Sequence, residues 1–268
     1  MQKQAWTCCG TVGICAAFGI FARWLQNINI YEKGTGLAVA GAFTSKMLIF
    51  VCLMTAAALL YQVLRLRRQM QVKPETIIVP SSGRVLTVFM AISGLLAALG
   101  AGLILLQEDG GMLRTILALL GFLAAFGLAL YPQALKHPEW GCVLCAAPVI
   151  FTCFWFIVYY KETAVDPVLW HFAPFILTLA VCILAFFYMA GFAFGKPRPF
   201  RAVFFALYAA FFCLTVLPDV HPLGEILLQL SFTLAFMTLA WHLVFALSAP
   251  QEAGETPEGS TPEEPAPE

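Results

Sequence analysis

Cysteine is the most reactive residue type in this 268-residue sequence, and its nine copies fall into two sets. Five lie in the middle of apolar stretches, where a thiol behaves as a small hydrophobe. Four lie near the edges of two apolar stretches, and they are Cys8, Cys9, Cys142 and Cys145. Neighbouring thiolates can bind a soft metal or exchange electrons. A thiol cluster is therefore one hypothesis, but a single C-x-x-C is a weak metal signal. We predict no resident metal or cofactor.

Ser93 and His242 form the second candidate group, as a nucleophile and its base. A serine nucleophile needs a base within hydrogen-bond reach and donors that stabilise the oxyanion. We prefer the alternative, in which Ser93 bonds to its own helix and His242, beside Trp241, anchors at the membrane interface. A distance well beyond ~4 Å between Ser93 Oγ and the His242 ring would exclude the catalytic pair.

Cations near the ends of the apolar stretches form the third group. Lys46, Arg114 and His171 are predicted at the outer face, where they either converge on an anionic ligand or extend to the lipid headgroups. The longest outer segment, 23–45, is aromatic and amphipathic, so it is a candidate lid or partner surface. The densest basic cluster is expected to attract anionic lipid at the inner face, or only to fix topology, and it consists of Arg65, Arg67 and Arg68.

The elements that must position these residues follow from composition. Hydrophobic residues make up 61% of the chain and charged residues 11%, which is far from the balance of soluble proteins. A helix crosses the hydrocarbon core with about 20 apolar residues. The sequence therefore predicts an all-α integral membrane protein. Its eight transmembrane helices form one domain over residues 1–249, with spans near 7–22, 46–63, 85–106, 113–131, 140–160, 169–195, 200–217 and 226–247.

Charge distribution predicts the orientation. Lys and Arg are twice as frequent in the loops that share a side with the N-terminus, so both termini are expected in the cytoplasm. Residues 250–268 contain six acids, no Lys or Arg, and many prolines, which predicts a disordered acidic tail. The zero net charge is thus a membrane body of +6 beside a tail of −6. Neither part is typical of a nucleic-acid-binding protein.

Small residues predict how some helices pack. Gly94, Ala98 and Gly102 form a stripe on the third span, and Gly121 and Ala125 have the same spacing on the fourth. Small residues allow close approach of membrane helices, so these two faces are expected to meet. Other small-residue faces are candidate surfaces for homo- or hetero-oligomers.

The two halves of the sequence resemble each other weakly. Trp6 opens the first span and Trp140 the fifth, each is followed by cysteine, and similar loops come after them. Four spans per unit would give a parallel 4+4 repeat, an arrangement found in some transporters. Alternating basic and acidic loops would produce much of the same pattern without a repeat.

Three function classes remain, in this order. A small permease or transporter component is favoured by the repeat, by prolines 148 and 174 inside spans, and by the outer cations. A non-catalytic scaffold or sensor would use the basic loop and acidic tail, and an intramembrane enzyme comes third. An enclosed polar cavity near the midplane would favour transport, whereas a packed bundle with an outer groove would favour sensing.

No acid lies inside a predicted span, which argues against a carboxylate relay. Short loops and the charge bias are typical of a bacterial cytoplasmic membrane protein.

Overall fold

The computed structural model describes residues 2–29, 42–69, 83–107, 111–166 and 168–248. These residues form nine helices and no strand. The helices are α1 (Gln2–Asn29), α2 (Phe43–Gln69), α3 (Arg84–Leu105), α4 (Met112–Ala129), α5 (Tyr131–Ala134), α6 (Pro138–Thr163), α7 (Leu169–Ala193), α8 (Pro199–Thr215) and α9 (Leu223–Ser248). The predicted acidic tail and most of the 23–45 segment lie outside the described residues.

Length and composition make seven of these helices candidate membrane spans, namely α1, α2, α3, α4, α6, α7 and α9. The apolar helix α8 has 17 residues, which at 1.5 Å per residue gives about 26 Å. The chain is therefore an α-helical, multi-pass membrane protein.

The helices run alternately up and down between two ends of the bundle. At one end the Ser248 hydroxyl donates to Gln4 Oε1 at 2.7 Å, so the start of α1 lies beside the end of α9. We call this the Gln4 end. At the other end Arg23, near the end of α1, binds Asp219, which follows α8. We call this the Arg23 end.

Six helices form a closed ring in the order α3, α4, α6, α7, α8 and α9, and α9 packs back on α3. Helices α1 and α2 pack outside the ring against α8, and α1 also contacts α9. Aromatic side chains from α6, α7 and α9 meet inside the ring. Ring centroids lie 6.1 Å apart for Phe151 and Phe232, 6.2 Å for Trp155 and Phe232, and 4.5 Å for Phe186 and Phe236. We call these five residues the aromatic column.

Glycines set the closest helix contacts. A Cβ atom at Gly94 would lie 2.7 Å from the Ala125 carbonyl oxygen, and one at Gly121 would lie 2.9 Å from Ala101 Cβ. The prediction that these faces of α3 and α4 meet is therefore confirmed. A second contact joins α3 to α9, where a Cβ at Gly224 would lie 2.8 Å from the carbonyl oxygen of Gly100.

Candidate functional site

Arg23 is the most deeply buried charged side chain at the Arg23 end, with 1% of its surface exposed. Its guanidinium pairs with Asp219 in a bidentate geometry, with Nε 2.7 Å from Oδ1 and Nη2 3.0 Å from Oδ2. Nη1 donates to Gln26 Oε1 at 2.7 Å, and Nη2 also donates to the Trp170 carbonyl at 3.1 Å. A buried carboxylate therefore holds Arg23 inside the bundle, although Arg23 lies near the outer end of the first predicted span.

The local sequence explains two parts of this arrangement. Pro174 has no N–H, so the carbonyl four residues earlier, that of Trp170, lacks its helical partner and is free to accept from Arg23. Helix α1 continues past the predicted span end at Ala22 to Asn29, and this extension carries Arg23 inward as part of a helix face.

Two further side chains complete the cluster around this pair. Asn27 donates to Asp219 Oδ1 at 2.9 Å, and Gln26 donates to the Ser45 hydroxyl at 3.2 Å. Arg23, Gln26, Asn27, Ser45 and Asp219 together are called the Arg23 network. The network ties α1 to the start of α2 and to the segment between α8 and α9.

A small cavity lies at the same end, on the inner side of the ring. Its volume is about 10 Å³, which is room for about one water molecule. We call it the Glu225 chamber, and its lining residues are Ile104, Gln107, Arg114, Leu117, Trp155, Val158, Tyr159, Glu162 and Glu225.

Helix α9 places Glu225 and Gln229 four residues apart, on one face of the helix. His221 lies four residues before Glu225, just before the helix begins. His221 Nδ1 lies 3.3 Å from Glu225 Oε2, but the two are not aligned for a hydrogen bond. Gln229 is 2% exposed, and among the described residues neither its amide nitrogen nor its amide oxygen has a hydrogen-bond partner. The buried Nε2 of His221 likewise has no partner there.

The rim of the chamber carries a more exposed ion pair. Arg114 Nε lies 3.0 Å from Glu162 Oε1, Nη2 lies 3.1 Å from Oε2, and Nη1 donates to Gln107 at 3.2 Å. About a third of each charged side chain of the pair is exposed. The pair is therefore positioned to cover the chamber.

The three cations predicted to hold an anion have different surroundings. Arg114 binds Glu162 on α6, whereas His171 Nδ1 lies 2.7 Å from an oxygen of Asp166 in the loop before α7. A backbone N–H bond from Val168, followed by the His171 bond, lowers the pKa of Asp166. Lys46 is exposed on α2. None of these contacts brings the three together, so the predicted anion site gains no support from them.

The structure excludes the serine and histidine pair. Ser93 Oγ donates to the Ser231 carbonyl at 2.9 Å, and Ser231 Oγ donates back to the Ser93 carbonyl at 2.7 Å. His242 lies against Gly83, where a Cβ atom would be 3.4 Å from its Cε1. Gly83 is ten residues before Ser93, about 15 Å along α3. Ser93 therefore joins α3 to α9, which is neither its predicted bond to its own helix nor a catalytic contact.

The four edge cysteines lie on helices with different neighbours. Cys8 and Cys9 are on α1, which packs on α2, α8 and α9, whereas Cys142 and Cys145 are on α6, which packs on α4, α5 and α7. The described residues contain no group of three or more His, Cys, Asp or Glu side chains suited to a metal ion. The predicted thiol cluster therefore has no structural support.

A buried thiol pair that the sequence analysis did not single out lies elsewhere. Cys182 Sγ on α7 and Cys213 Sγ on α8 are 3.5 Å apart.

The basic cluster predicted to meet lipid lies at the end of α2. Arg65, Arg67 and Arg68 are exposed at the Gln4 end. Their binding to anionic lipid stays a prediction.

Sequence reasoning missed Glu225 because the predicted last span was too short. The last span was predicted to begin at residue 226, yet α9 begins at Leu223 and includes Glu225. No acid lies within the predicted bounds, but the candidate spans of the structure include Glu139 and Glu162 on α6 and Glu225 on α9. One usable signal was Pro174, whose freed carbonyl requires a donor.

Comparisons with known proteins give no relative: no family model, no curated protein and no solved structure matches the chain.

Proposed function

We propose that the protein is a small permease or transporter component, with eight transmembrane spans including α8, in a bacterial cytoplasmic membrane. Its substrate site is the Glu225 chamber together with Gln229. The observation that carries this proposal is the Gln229 amide, which is buried without a hydrogen-bond partner among the described residues. A buried polar group without a partner costs a few kcal/mol, and a bound substrate or water would remove that cost.

The position of Gln229 relates it to the chamber. Glu225, one turn earlier on α9, lines the chamber with Trp155. Phe232, three residues later, has its ring 6.2 Å from that of Trp155. Gln229 lies between them on the same helix face. Its amide is therefore expected to face the inner end of the chamber, above the aromatic column.

The charges around the chamber favour a small cation as substrate. Glu162 is paired with Arg114, and Asp219 with Arg23. Glu225, by contrast, lies 3.3 Å from the His221 imidazole. The lining of the chamber includes two acids, Glu162 and Glu225, and one cation, Arg114, so its formal charge is −1. Trp155 and Tyr159 line the same space, and a carboxylate beside aromatic rings is a suitable environment for a small cation.

In this structure the chamber is too small for a substrate larger than one water-sized group. A cavity of about 10 Å³ admits one water-sized group, so a larger cation requires the chamber to open. The partly exposed Arg114–Glu162 pair at the rim is the element that would separate. The proline-containing helices α6 and α7, which form part of the ring, could accommodate such a movement.

Uptake of labelled methylammonium into proteoliposomes tests the proposal. We expect uptake by the full chain above that of empty liposomes. Gln229→Leu and Glu225→Gln should each lower it about tenfold or more, because hydrogen bonds to a charged group are among the stronger ones. The control is Gln62→Leu, which makes the same chemical change on α2 at the Gln4 end, where Gln62 donates to Thr11 at 2.6 Å. Absence of uptake by well-folded protein would reject methylammonium permeation. Equal uptake by all variants would reject this site.

A sensor is the second candidate, and the aromatic column favours it. The ring interior between the chamber and the Gln4 end is packed with buried aromatic side chains, from Trp155 to Phe236. A receptor that binds a cation without passing it would have such a core. Methylammonium that raises the unfolding temperature of the wild type but not of Gln229→Leu, with no uptake, would support the sensor and exclude the permease.

A further inference from the structure

A second cavity lies outside the ring, between α6 and α7 near the Gln4 end, and its volume is about 550 Å³. Its walls are apolar over most of their length, while its mouth is basic. We call it the α6–α7 groove, and its lining residues are Ala146, Val149, Ile150, Phe187, Tyr188, Ala190, Gly191, Phe194, Lys196 and Arg198.

We propose that this groove binds one anionic phospholipid, with an acyl chain along the apolar walls and the phosphate at Lys196 and Arg198. The site is independent of the Glu225 chamber and lies at the opposite end of the bundle. It is also separate from the predicted basic cluster on α2.

The walls fit an acyl chain. Ile150, Phe187 and Phe194 are each more than half exposed in the described structure, so they present apolar surface at the outside of the bundle. From Phe187 on α7 to Phe194 at its end, the groove extends over seven residue steps, about 10 Å. One wall is held in place because Tyr188 stacks on Phe205 of α8, with ring centroids 5.2 Å apart.

The mouth fits a phosphate. Just after α7, Gly195 adopts a φ of +66°, which turns the chain away from the helix. The next residue, Lys196, donates its N–H to the Gly191 carbonyl at 3.0 Å. This turn fixes the lysine backbone at the end of the apolar walls. Neither Lys196 nor Arg198 forms an ion pair with another described residue. Basic pockets between membrane helices are known to bind anionic headgroups.

The surrounding charge selects an anionic lipid over a zwitterionic one. In the described ranges, Glu139 is the one acid at the Gln4 end, and it is exposed at the start of α6. Arg201, in the first turn of α8, adds a further exposed cation near the groove mouth.

Native mass spectrometry of the full chain tests the site, after exposure to equal amounts of phosphatidylglycerol and phosphatidylcholine. We expect one phosphatidylglycerol to be retained preferentially. The double substitution Lys196→Gln and Arg198→Gln should lower that preference roughly 30-fold, since each cation near an anionic surface contributes about a factor of five. The matched control, Lys3→Gln with Arg84→Gln, removes two exposed cations from the same end, on α1 and α3, and should change the preference little. Equal losses in the two double variants would overturn the proposal in favour of general surface charge.

A second variant tests the walls separately from the charges. Ala146→Phe fills the groove and leaves both cations in place, so the retained lipid should be lost. If this variant does not give monodisperse protein, Ile150→Asn places a polar group on the exposed wall and serves the same purpose. Lipid retention unchanged by a filled or polar groove, in folded protein, would also overturn the proposal.

Discussion

Asp219→Asn is expected to be one of the most destabilising isosteric changes in the described bundle. The substitution keeps the shape of the side chain and removes the charge that faces Arg23. It also replaces one acceptor with an N–H₂ group, so the bond from Arg23 Nη2 to Oδ2, 3.0 Å in the wild type, is lost. Arg23 is 1% exposed and would keep its charge in a site that no longer compensates it.

The magnitude follows from burial. Removing one partner of a buried pair costs about 3–5 kcal/mol, whereas an exposed pair contributes about 0–1 kcal/mol. The side chains of Arg23 and Asp219 are 2% and 7% exposed, so the larger range applies. The Trp170 carbonyl and Gln26 still bind the guanidinium in this variant, which favours the lower part of that range.

Reversible unfolding in mixed micelles, followed by tryptophan fluorescence as SDS is added, measures the effect. The control is Glu162→Gln, which breaks the partly exposed pair with Arg114 and should cost less than about 1 kcal/mol. A double-mutant cycle with Arg23→Met and Asp219→Leu should give a coupling energy of at least about 2 kcal/mol. A cost below about 1 kcal/mol for Asp219→Asn, with coupling near zero, would refute the reasoning from burial.

Three further predictions concern packing and pH. Gly224→Ala should cost about 1–3 kcal/mol in the same unfolding assay, because its Cβ would meet backbone atoms of α3. Gly102→Ala should cost much less, because its Cβ would lie 3.8 Å from Phe122 Cζ. Ser93→Ala removes one of two reciprocal interhelical bonds and should cost about 0.6–1.7 kcal/mol. The pKa of Asp166 is lower in the folded state, so this carboxylate contributes stability above its unfolded pKa, about 4, and the contribution is lost as the pH falls through the folded pKa. The free energy of unfolding of Asp166→Asn should therefore lack this acid dependence. A variant whose stability depends on pH as the wild type does would contradict the prediction.

Features that depend on local sequence could be predicted. The α3–α4 contact follows from glycine and alanine spacing alone, because only small residues let two backbones approach. The helical membrane class follows from hydropathy. Span ends were harder to predict, since polar residues such as Gln26 and Asn27 continue α1 beyond the apolar run when other helices satisfy them.

Features that depend on distant pairs could not be predicted from one sequence. Arg23 and Asp219 are 196 residues apart, and nothing in either local pattern specifies the other. Gln229 looked like an ordinary polar residue in an apolar helix, and only the ring arrangement shows that its amide is buried without a partner. The same arrangement separates Ser93 from His242, although their depths along α3 and α9 had seemed similar.

The charged side chains are paired within the protein at one end of the bundle and mostly unmatched by acids at the other, and this difference connects the two proposals. Among the described residues, the Arg23 end carries four Lys or Arg and four acids, and most of the acids are bound by a cation or an imidazole. The Gln4 end carries nine Lys or Arg and one acid, so its cations must be neutralised from outside the described chain. Anionic lipid is the available counterion if this end faces the cytoplasm, as the charge bias predicts. At the Arg23 end, by contrast, the other three acids lie 2.7–3.0 Å from their partners, so the proposed cation site depends on Glu225, which lies 3.3 Å from the His221 imidazole.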